Sequence, residues 1–249
     1  MTEQMTPFSL ILTTNELLWL AGYFGISRLA LPMPLASTTD ERIKVGQKKL
    51  VERGLIRRDP GKSWQVDQLV GFLLHSLANV ERYTRLRIYS PTKDVQISGL
   101  YTLQGLYLLD ACTSEEVEFI FLPDKNKLID EIFNKYFQEH HFNGKEGYSL
   151  IQPVELTRAA LLYPNAAREI LFRVHRNKPQ IDSTIRWLDS VQKVYQFDRV
   201  ATDPDRGNQL LLLETEVGFW FGTTDSNSEW VQFLPGSDTI IRNKLDEYI

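Results

Sequence analysis

A segment near the middle of the chain is repeated at its end, and this repeat constrains the fold more than any other feature. Residues 119–137 align without a gap with residues 231–249. Each copy contains an alternating, strand-like run, the triplet Phe-Leu-Pro and an amphipathic helical pattern. An internal duplication of this kind predicts two similar halves. The identical positions are Phe121 and Phe233, Leu122 and Leu234, Pro123 and Pro235, Ile129 and Ile241, and Tyr136 and Tyr248.

A shorter repeat upstream of each copy delimits the two halves. Residues 8–11 read Phe-Ser-Leu-Ile, and residues 148–151 read Tyr-Ser-Leu-Ile. The copies start 140 residues apart but end 112 apart, so the first copy is 28 residues longer. We therefore predict the halves 1–137 and 148–249, joined by a linker at 138–147.

Each half begins with helix-like periodicity and continues with strand-like alternation. Thr13 and Glu16 have the spacing of a capping box, and Thr38 with Glu41 repeats that spacing. Apolar residues recur at helical intervals from residue 66 to residue 77 and predict a third helix. In the second half, helices are predicted near residues 154–163, 166–175 and 183–194.

The strand-like runs are short and are separated by glycine, proline and serine. Such runs favour antiparallel pairing, with helices packed on one face of the sheet or at its ends. The predicted fold class is therefore α+β, with a central, mostly antiparallel sheet, flanking helices and an internal pseudo-twofold duplication. Strands from both halves could join one sheet, which would make residues 1–249 a single domain. The extra length of the first half is expected within residues 29–62.

The bulk composition is that of an ordinary soluble protein. The net charge of -4 argues against a surface built as a whole for nucleic acid, although a local basic patch remains possible. A single cysteine excludes an intrachain disulfide and fits a reducing compartment. No apolar run approaches the ~20 residues needed to cross a bilayer, so no membrane insertion is expected. The N-terminus lacks a basic, apolar leader, which predicts a cytoplasmic protein.

No motif in the sequence predicts catalysis, a metal or a cofactor. Gly61, Lys62 and Ser63 resemble the end of a phosphate-binding loop, but the glycine required five positions before Gly61 is Ile56. The four histidines are too few and too scattered for a convincing site. We therefore expect a protein that is not an enzyme.

A basic segment gives the main alternative interpretation. A helix ending near Arg53 is followed by a turn with Arg57, Arg58 and Lys62, which imitates a winged-helix reader of DNA. In that case these residues would contact nucleic acid and the protein would be a transcriptional regulator. A solvated helical face and a protein-binding face are the other interpretations, and nucleic acid is the least favoured.

A second surface is suggested by aromatic residues near the C-terminus. Phe219, Trp220 and Phe221 follow one another in a strand-like run, with Trp230 close behind. Alternation sends Phe219 and Phe221 to one face of a sheet. One face is expected to be core, and an uncovered second face would form an apolar binding surface.

The order of several structural signatures is similar to that of the EspG proteins, which are associated with ESX (type VII) secretion systems. The resemblance covers nearly the whole chain, and its motifs are structural signatures. They lie at residues 12–17 (Leu-Thr-Thr-Asn-Glu-Leu), 31–35, 39–42 (Thr-Asp-Glu-Arg), 50–55 (Leu-Val-Glu-Arg-Gly-Leu), 215–218 (Thr-Glu-Val-Gly) and 230–236 (Trp-Val-Gln-Phe-Leu-Pro-Gly).

The resemblance implies a cytosolic, chaperone-like protein that holds a secreted PE–PPE-type substrate, or an analogous helical protein, soluble for export. Binding in the family uses the sheet, a loop between early strands and a C-terminal helical bundle. That loop corresponds here to residues 90–96, which form a short and polar segment. The expected partner-binding residues are Ser90, Pro91, Thr92, Lys93, Asp94 and Val95, together with Phe219, Trp220, Phe221 and Trp230.

Overall fold

A computed structural model describes residues 8–31, 39–90, 93–103, 106–112, 115–137, 150–153, 189–201, 209–216, 218–224 and 230–249. The strands are β1 (Phe8–Thr13), β2 (Ile56–Arg57), β3 (Gln65–Val66), β4 (Arg82–Ser90), β5 (Lys93–Leu103), β6 (Leu106–Cys112), β7 (Glu116–Leu122), β8 (Leu150–Pro153), β9 (Val191–Ala201), β10 (Gln209–Thr215), β11 (Gly218–Thr224) and β12 (Trp230–Gly236). The helices are α1 (Thr14–Phe24), α2 (Asp40–Glu52), α3 (Gln68–Ala78), α4 (Lys125–Tyr136) and α5 (Asp238–Tyr248).

The chain divides into two compact units whose boundaries differ from those of the sequence repeat. Residues 1–83 and 97–124 form the first unit, and residues 84–96 and 125–249 form the second. Most of β4, the start of β5 and all of α4 therefore belong to the second unit, although they precede the repeat boundary. The prediction of one domain with a linker at 138–147 stays a prediction, because that segment lies outside the described residues.

The first unit is an antiparallel sheet with helices packed on one face. Its strand order is β1-β7-β6-β5, with Phe8 opposite Phe121 and Leu12 opposite Val117. The predicted capping box is confirmed at the start of α1, where Thr13 and Glu16 bond each other's backbone N–H groups. The core joins the helices to the sheet through fully buried apolar side chains, among them Leu12, Leu17, Leu20, Leu73, Leu77 and Phe119.

The second unit repeats the strand order of the first. Its order is β8-β12-β11-β10-β9-β4, so β8, β12, β11 and β10 correspond to β1, β7, β6 and β5. The pairs from β8 to β9 are antiparallel. The ring of Phe137, just after α4, lies against Tyr195 of β9, and the Tyr248 hydroxyl of α5 donates to the Phe197 carbonyl at 2.9 Å. Helices α4 and α5 therefore cover one face of this sheet.

The contact between α4 and α5 carries the signature of a pseudo-twofold axis. Arg242 Nη1 donates to Asp130 Oδ1 at 2.7 Å, and these two residues are separated by 112 positions, the offset of the sequence repeat. Equivalent positions that contact each other lie on either side of a twofold axis. The predicted α+β class, antiparallel pairing, flanking helices and internal duplication are confirmed.

Several local predictions need correction. The N-cap of α2 is Thr39, whose Oγ1 accepts from Arg42 N, so Thr38 was the wrong choice. Val66 lies in β3, because it pairs with Ile56 across a hairpin and α3 begins only after Asp67. Of the predicted helix at 183–194, the last four residues belong to β9. The helices predicted at 154–163 and 166–175 lie outside the described residues.

No helix among the described residues is long and apolar enough to cross a membrane.

Candidate protein-binding site

The predicted contact loop at residues 90–96 is mostly strand. Ser90 ends β4 and Lys93 already begins β5, so Lys93, Asp94 and Val95 are strand residues. The prediction of a loop failed there because polar residues follow one another without the alternation of a half-buried strand. Pro91 and Thr92 lie outside the described residues.

A polar cavity of about 200 Å³ opens beside Ser90. Strands β4, β5 and β9 and the last turn of α4 contribute its walls. Ile88 supplies apolar surface, and the remaining lining residues are polar or amphipathic: Ser90, Gln96, Lys135, Tyr136, Lys193 and Tyr195. The structure thus brings two of the predicted region's residues, Ser90 and Gln96, to a concave surface that also contains two lysines.

A buried carboxylate fixes two residues of this cavity. Glu214 is 2% exposed, and its Oε2 accepts from the Tyr195 hydroxyl at 2.7 Å and lies 3.2 Å from Lys193 Nζ. Burial, followed by the charge of Glu214 and this hydrogen bond, raises the pKa of Tyr195. The phenol therefore stays protonated and the side chains of Tyr195 and Lys193 are held in place, which pre-organises this wall of the cavity.

The aromatic strand β11 separates its residues between two faces. Phe219 and Phe221 are 1% and 8% exposed, and Phe219 packs edge-on against Phe137 on the side covered by α4. Trp220 is half-buried on the opposite face, beside the apolar cluster that contains Leu213. Phe219 and Phe221 are thus core side chains in this structure, and their role as partner contacts stays a prediction.

Trp230 is the first residue of β12 and lies opposite Pro153 of β8. Its backbone therefore belongs to the sheet of the second unit, and its predicted contact with a partner stays a prediction.

The basic residues of the alternative site are engaged within the first unit. Arg53 Nη1 pairs with Glu16, which is fully buried, and its Nη2 donates to the Ile11 carbonyl. Arg57 Nε donates to Gln65 Oε1, and Arg58 Nε donates to the Lys62 carbonyl. Lys62 pairs with Asp59. The β2–β3 hairpin follows α2, as the wing follows the recognition helix in a winged-helix protein. Arg53, however, neutralises a buried carboxylate within this unit.

Sequence reasoning missed a polar cluster on β4 and β9. Arg85 and Arg87 both contact Asp198, which is 6% exposed, and Gln196 Nε2 donates to the same carboxylate. The available signal was the alternation of arginine with Thr84, Leu86 and Ile88 along β4, which places both arginines on one face. Among the described residues, no group of His, Cys, Asp or Glu could hold a metal ion.

These units define an α+β fold in which an antiparallel sheet is flanked by helices and a segment is duplicated, and this fold is EspG-like. The chain is similar over its length to a solved structure, the type VII secretion system chaperone EspG5 of Mycobacterium tuberculosis in complex with a PE25–PPE41 dimer. The TM-score is 0.66 at 11% sequence identity, with 97% of this chain and 95% of the other covered. At this identity the likeness shows the fold alone. No protein-family model matches the sequence, and no curated protein matches it.

Proposed function

We propose that this protein is a cytoplasmic, chaperone-like binding protein without enzymatic activity, which holds a secreted helical substrate soluble for type VII (ESX) secretion. The substrate is of the PE–PPE type or an analogous helical protein. The observation that carries the proposal is the fold likeness to EspG5, which extends over 97% of this chain and whose solved structure contains a PE–PPE dimer. The absence of catalytic motifs from the sequence agrees with a binding role.

The polar cavity beside Ser90 is the proposed contact surface. It lies at the end of the β4–β5 hairpin, the region that the family resemblance assigns to substrate binding, and it is concave. Tyr195 and Lys193 are fixed by Glu214, so they lose little conformational freedom when a partner binds. Gln96 is exposed at the cavity and is accessible to a partner side chain.

The nucleic-acid alternative gains no support from any observation. The basic side chains of the β2–β3 hairpin bond to neighbouring groups, and Arg53 is paired with a buried glutamate. A DNA-binding role would need Arg57 and Arg58 to leave these contacts for phosphate groups.

Co-expression tests the proposed function. The intact protein is produced with each small helical secreted protein of the same genome, and the pairs are purified by a tag on the chaperone and sized by light scattering. We expect one such protein to form a stable complex and to aggregate when expressed alone. If every candidate is soluble alone and none co-purifies, the proposed function is wrong.

A pair of matched variants tests the contact surface. Gln96→Trp fills the mouth of the cavity, whereas Gln232→Trp makes the same change at an exposed strand position that does not line it. We expect Gln96→Trp to weaken the complex at least tenfold and Gln232→Trp to leave it unchanged. Equal affinity for both variants would place the contact elsewhere.

A further inference from the structure

Four polar side chains gather on one face of the second unit's sheet. Arg85 and Arg87 are alternate residues of β4, which neighbours β9, and Gln196 and Asp198 are alternate residues of β9. Because successive strand residues point to opposite faces, Gln196 and Asp198 lie on the face opposite Tyr195. The cluster is therefore separate from the polar cavity, which Tyr195 lines on the side of α4.

Among the described residues, this cluster contains two positive charges, from Arg85 and Arg87, and one negative charge, from Asp198. Arg87 Nη2 donates to Asp198 Oδ2, and Arg85 Nη2 lies 3.5 Å from the same oxygen. Gln196 Nε2 donates to the other oxygen, Oδ1, at 2.6 Å. A single carboxylate thus serves two guanidinium groups, and Arg85 is the more weakly held of the two. One positive charge is left without a compensating negative charge.

The cluster also has unused hydrogen-bonding groups. The Nε atoms of Arg85 and Arg87 and the Oε1 atom of Gln196 are buried and have no hydrogen-bond partner. Gln196 is fully buried, whereas the side chains of Arg85 and Arg87 are 30% and 24% exposed. Buried polar groups are nearly always satisfied in folded proteins. The two Nε atoms have almost no accessible surface, whereas within the described part of the chain Nη1 of each arginine is neither buried nor hydrogen-bonded, so the Nη1–H groups are the donors that a partner can reach.

We propose that Arg85 and Arg87 form a binding site for the carboxylate of an acidic side chain on the helical partner. The Nη1–H groups of two neighbouring guanidinium groups can each donate a charge-assisted hydrogen bond to one oxygen of a carboxylate. A carboxylate would supply the negative charge that the cluster lacks, while Asp198 holds the arginines in position. The identity of the partner rests on the proposed function, but the carboxylate chemistry does not.

Trp220 lies on the same face of the sheet as this cluster but at a distance from it. The register places Trp220 opposite Leu213 and Leu213 opposite Val194, so Trp220 lies on the same face as Gln196. Three strand spacings separate β4 from β11, or roughly 14 Å across the sheet. Val194 and Leu213 lie between the two positions and are fully buried, so the proposed site is confined to the arginines and does not extend to Trp220.

The first experiment uses acetate as the probe and needs no partner. The arginine Nε–H signals of the intact protein are followed by NMR as acetate replaces chloride at constant ionic strength, and are assigned with Arg85→Lys and Arg87→Lys. We expect saturable shifts of both signals. Arg58 and Arg199 are internal controls, because their Nε atoms already donate to carbonyls. No shift, or equal shifts at the controls, overturns the proposal.

The second experiment uses the complex. Arg85→Gln keeps the bond between Arg87 and Asp198 and removes the surplus charge, whereas Arg57→Gln makes the same change at an exposed position of the first unit. We expect Arg85→Gln to weaken the complex at least tenfold, with restored binding when Arg85→Glu is combined with an acidic-to-arginine change in the partner. Equal affinity for Arg85→Gln and Arg57→Gln overturns the proposal and leaves the proposed function standing. If no complex forms at all, the acetate titration still decides the carboxylate site.

Discussion

A single glycine sets the closest approach between α1 and α2. A Cβ atom added at Gly46 would lie 2.0 Å from the Asn15 carbonyl oxygen and 2.9 Å from Glu16 N, both backbone atoms. Glycine in a helix normally lowers stability by about 1 kcal/mol relative to alanine. At position 46 alanine is expected to be the less stable residue, because its Cβ atom would clash with the backbone of α1. We expect Gly46→Ala to destabilise the protein by about 3 kcal/mol, because the backbone of α1 has to move.

Gly22 in α1 provides the matched control. A Cβ atom added there meets nothing within 4 Å, so Gly22→Ala is expected to raise the free energy of unfolding by up to about 1 kcal/mol. Urea unfolding of both variants measures the two effects. If Gly46→Ala were as stable as the parent protein, the close packing of α1 against α2 would be wrong.

A buried tyrosine couples stability to alkaline pH. Burial, followed by the negative charge of Asp198, raises the pKa of Tyr248 from 10.0 to about 12. Above pH 10 the unfolded chain releases this proton while the folded chain keeps it. The stabilising contribution is therefore complete below pH 10 and is lost as the pH rises to about 12.

The expected loss is roughly 1.4 kcal/mol for each pH unit in that window. The raised pKa of Tyr195 adds its own loss in the same window, so the contribution of Tyr248 is the difference between the parent protein and Tyr248→Phe in urea unfolding at pH 9 and pH 11. The variant also loses the hydrogen bond to the Phe197 carbonyl, so it starts from a lower stability at pH 9. An unchanged pH slope in Tyr248→Phe would show that other groups cause the loss.

Local residue patterns were predictable, whereas distant pairings were not. The capping box of Thr13 and Glu16 follows from a three-residue spacing, and the structure confirms it. The pairing of Glu16 with Arg53 joins residues 37 positions apart, and the sequence does not reveal it. Arg53 therefore stood out only as part of a basic segment, although its guanidinium group neutralises a buried carboxylate.

At the scale of elements, periodicity located most helices and strands but not their ends. Val66 shares its apolar spacing with α3, yet pairing with Ile56 draws it into a strand. Such pairing is decided by a partner strand, which local periodicity does not contain. The same cause placed residues 93–95 in β5, where the sequence had predicted a contact loop. The cavity beside Ser90 likewise joins four elements and could not be predicted from any one of them.

The contact between α4 and α5 can be tested by exchanging equivalent residues. Asp130 and Arg242 occupy aligned positions and pair at 2.7 Å, while the Arg242 guanidinium also lies 4.0 Å from the centre of the Phe133 ring. Both side chains are more than a third exposed, so the ion pair is worth at most about 1 kcal/mol. We expect Asp130→Arg alone to lower stability by a similar amount.

The double exchange of Asp130→Arg with Arg242→Asp is expected to recover part of that loss. The ion pair re-forms because the two positions are related by the pseudo-twofold axis, but the cation–π contact with Phe133 is lost. A double-mutant cycle from thermal unfolding measures the coupling. A double variant less stable than both single variants would contradict the axis at this position.

At the scale of the whole molecule, the order of strand-like and helix-like segments was more informative about the fold than residue-by-residue sequence identity. The chain shares its fold with EspG5 at 11% identity, which means that few residues are common to the two sequences. Within this chain, the fold was indicated by the order of strand-like and helix-like segments and by the repeat of the Phe-Leu-Pro segments. Those segments depend on burial and turn chemistry, which many different residues can satisfy.

The two compact units do not follow the two sequence halves, and this mismatch predicts how the halves behave when they are separated. The second unit takes most of β4 and all of α4 from the first half, and β4 neighbours β9 of the second half. Helix α4 buries apolar side chains within that unit, among them Leu128, Ile129, Ile132 and Phe133. Fragments 1–137 and 148–249 are therefore each incomplete.

We expect neither fragment alone to unfold cooperatively as a monomer, whereas the two together should associate and recover the far-ultraviolet circular dichroism of the intact chain. Cleavage of the folded protein at a protease site placed within residues 138–147 is the control, because its products are nearly the same but form after folding. Those products should stay together through size-exclusion chromatography. A cooperative unfolding transition in either isolated fragment would instead show that the halves are independent domains, because β4 and α4 would then not need the second half.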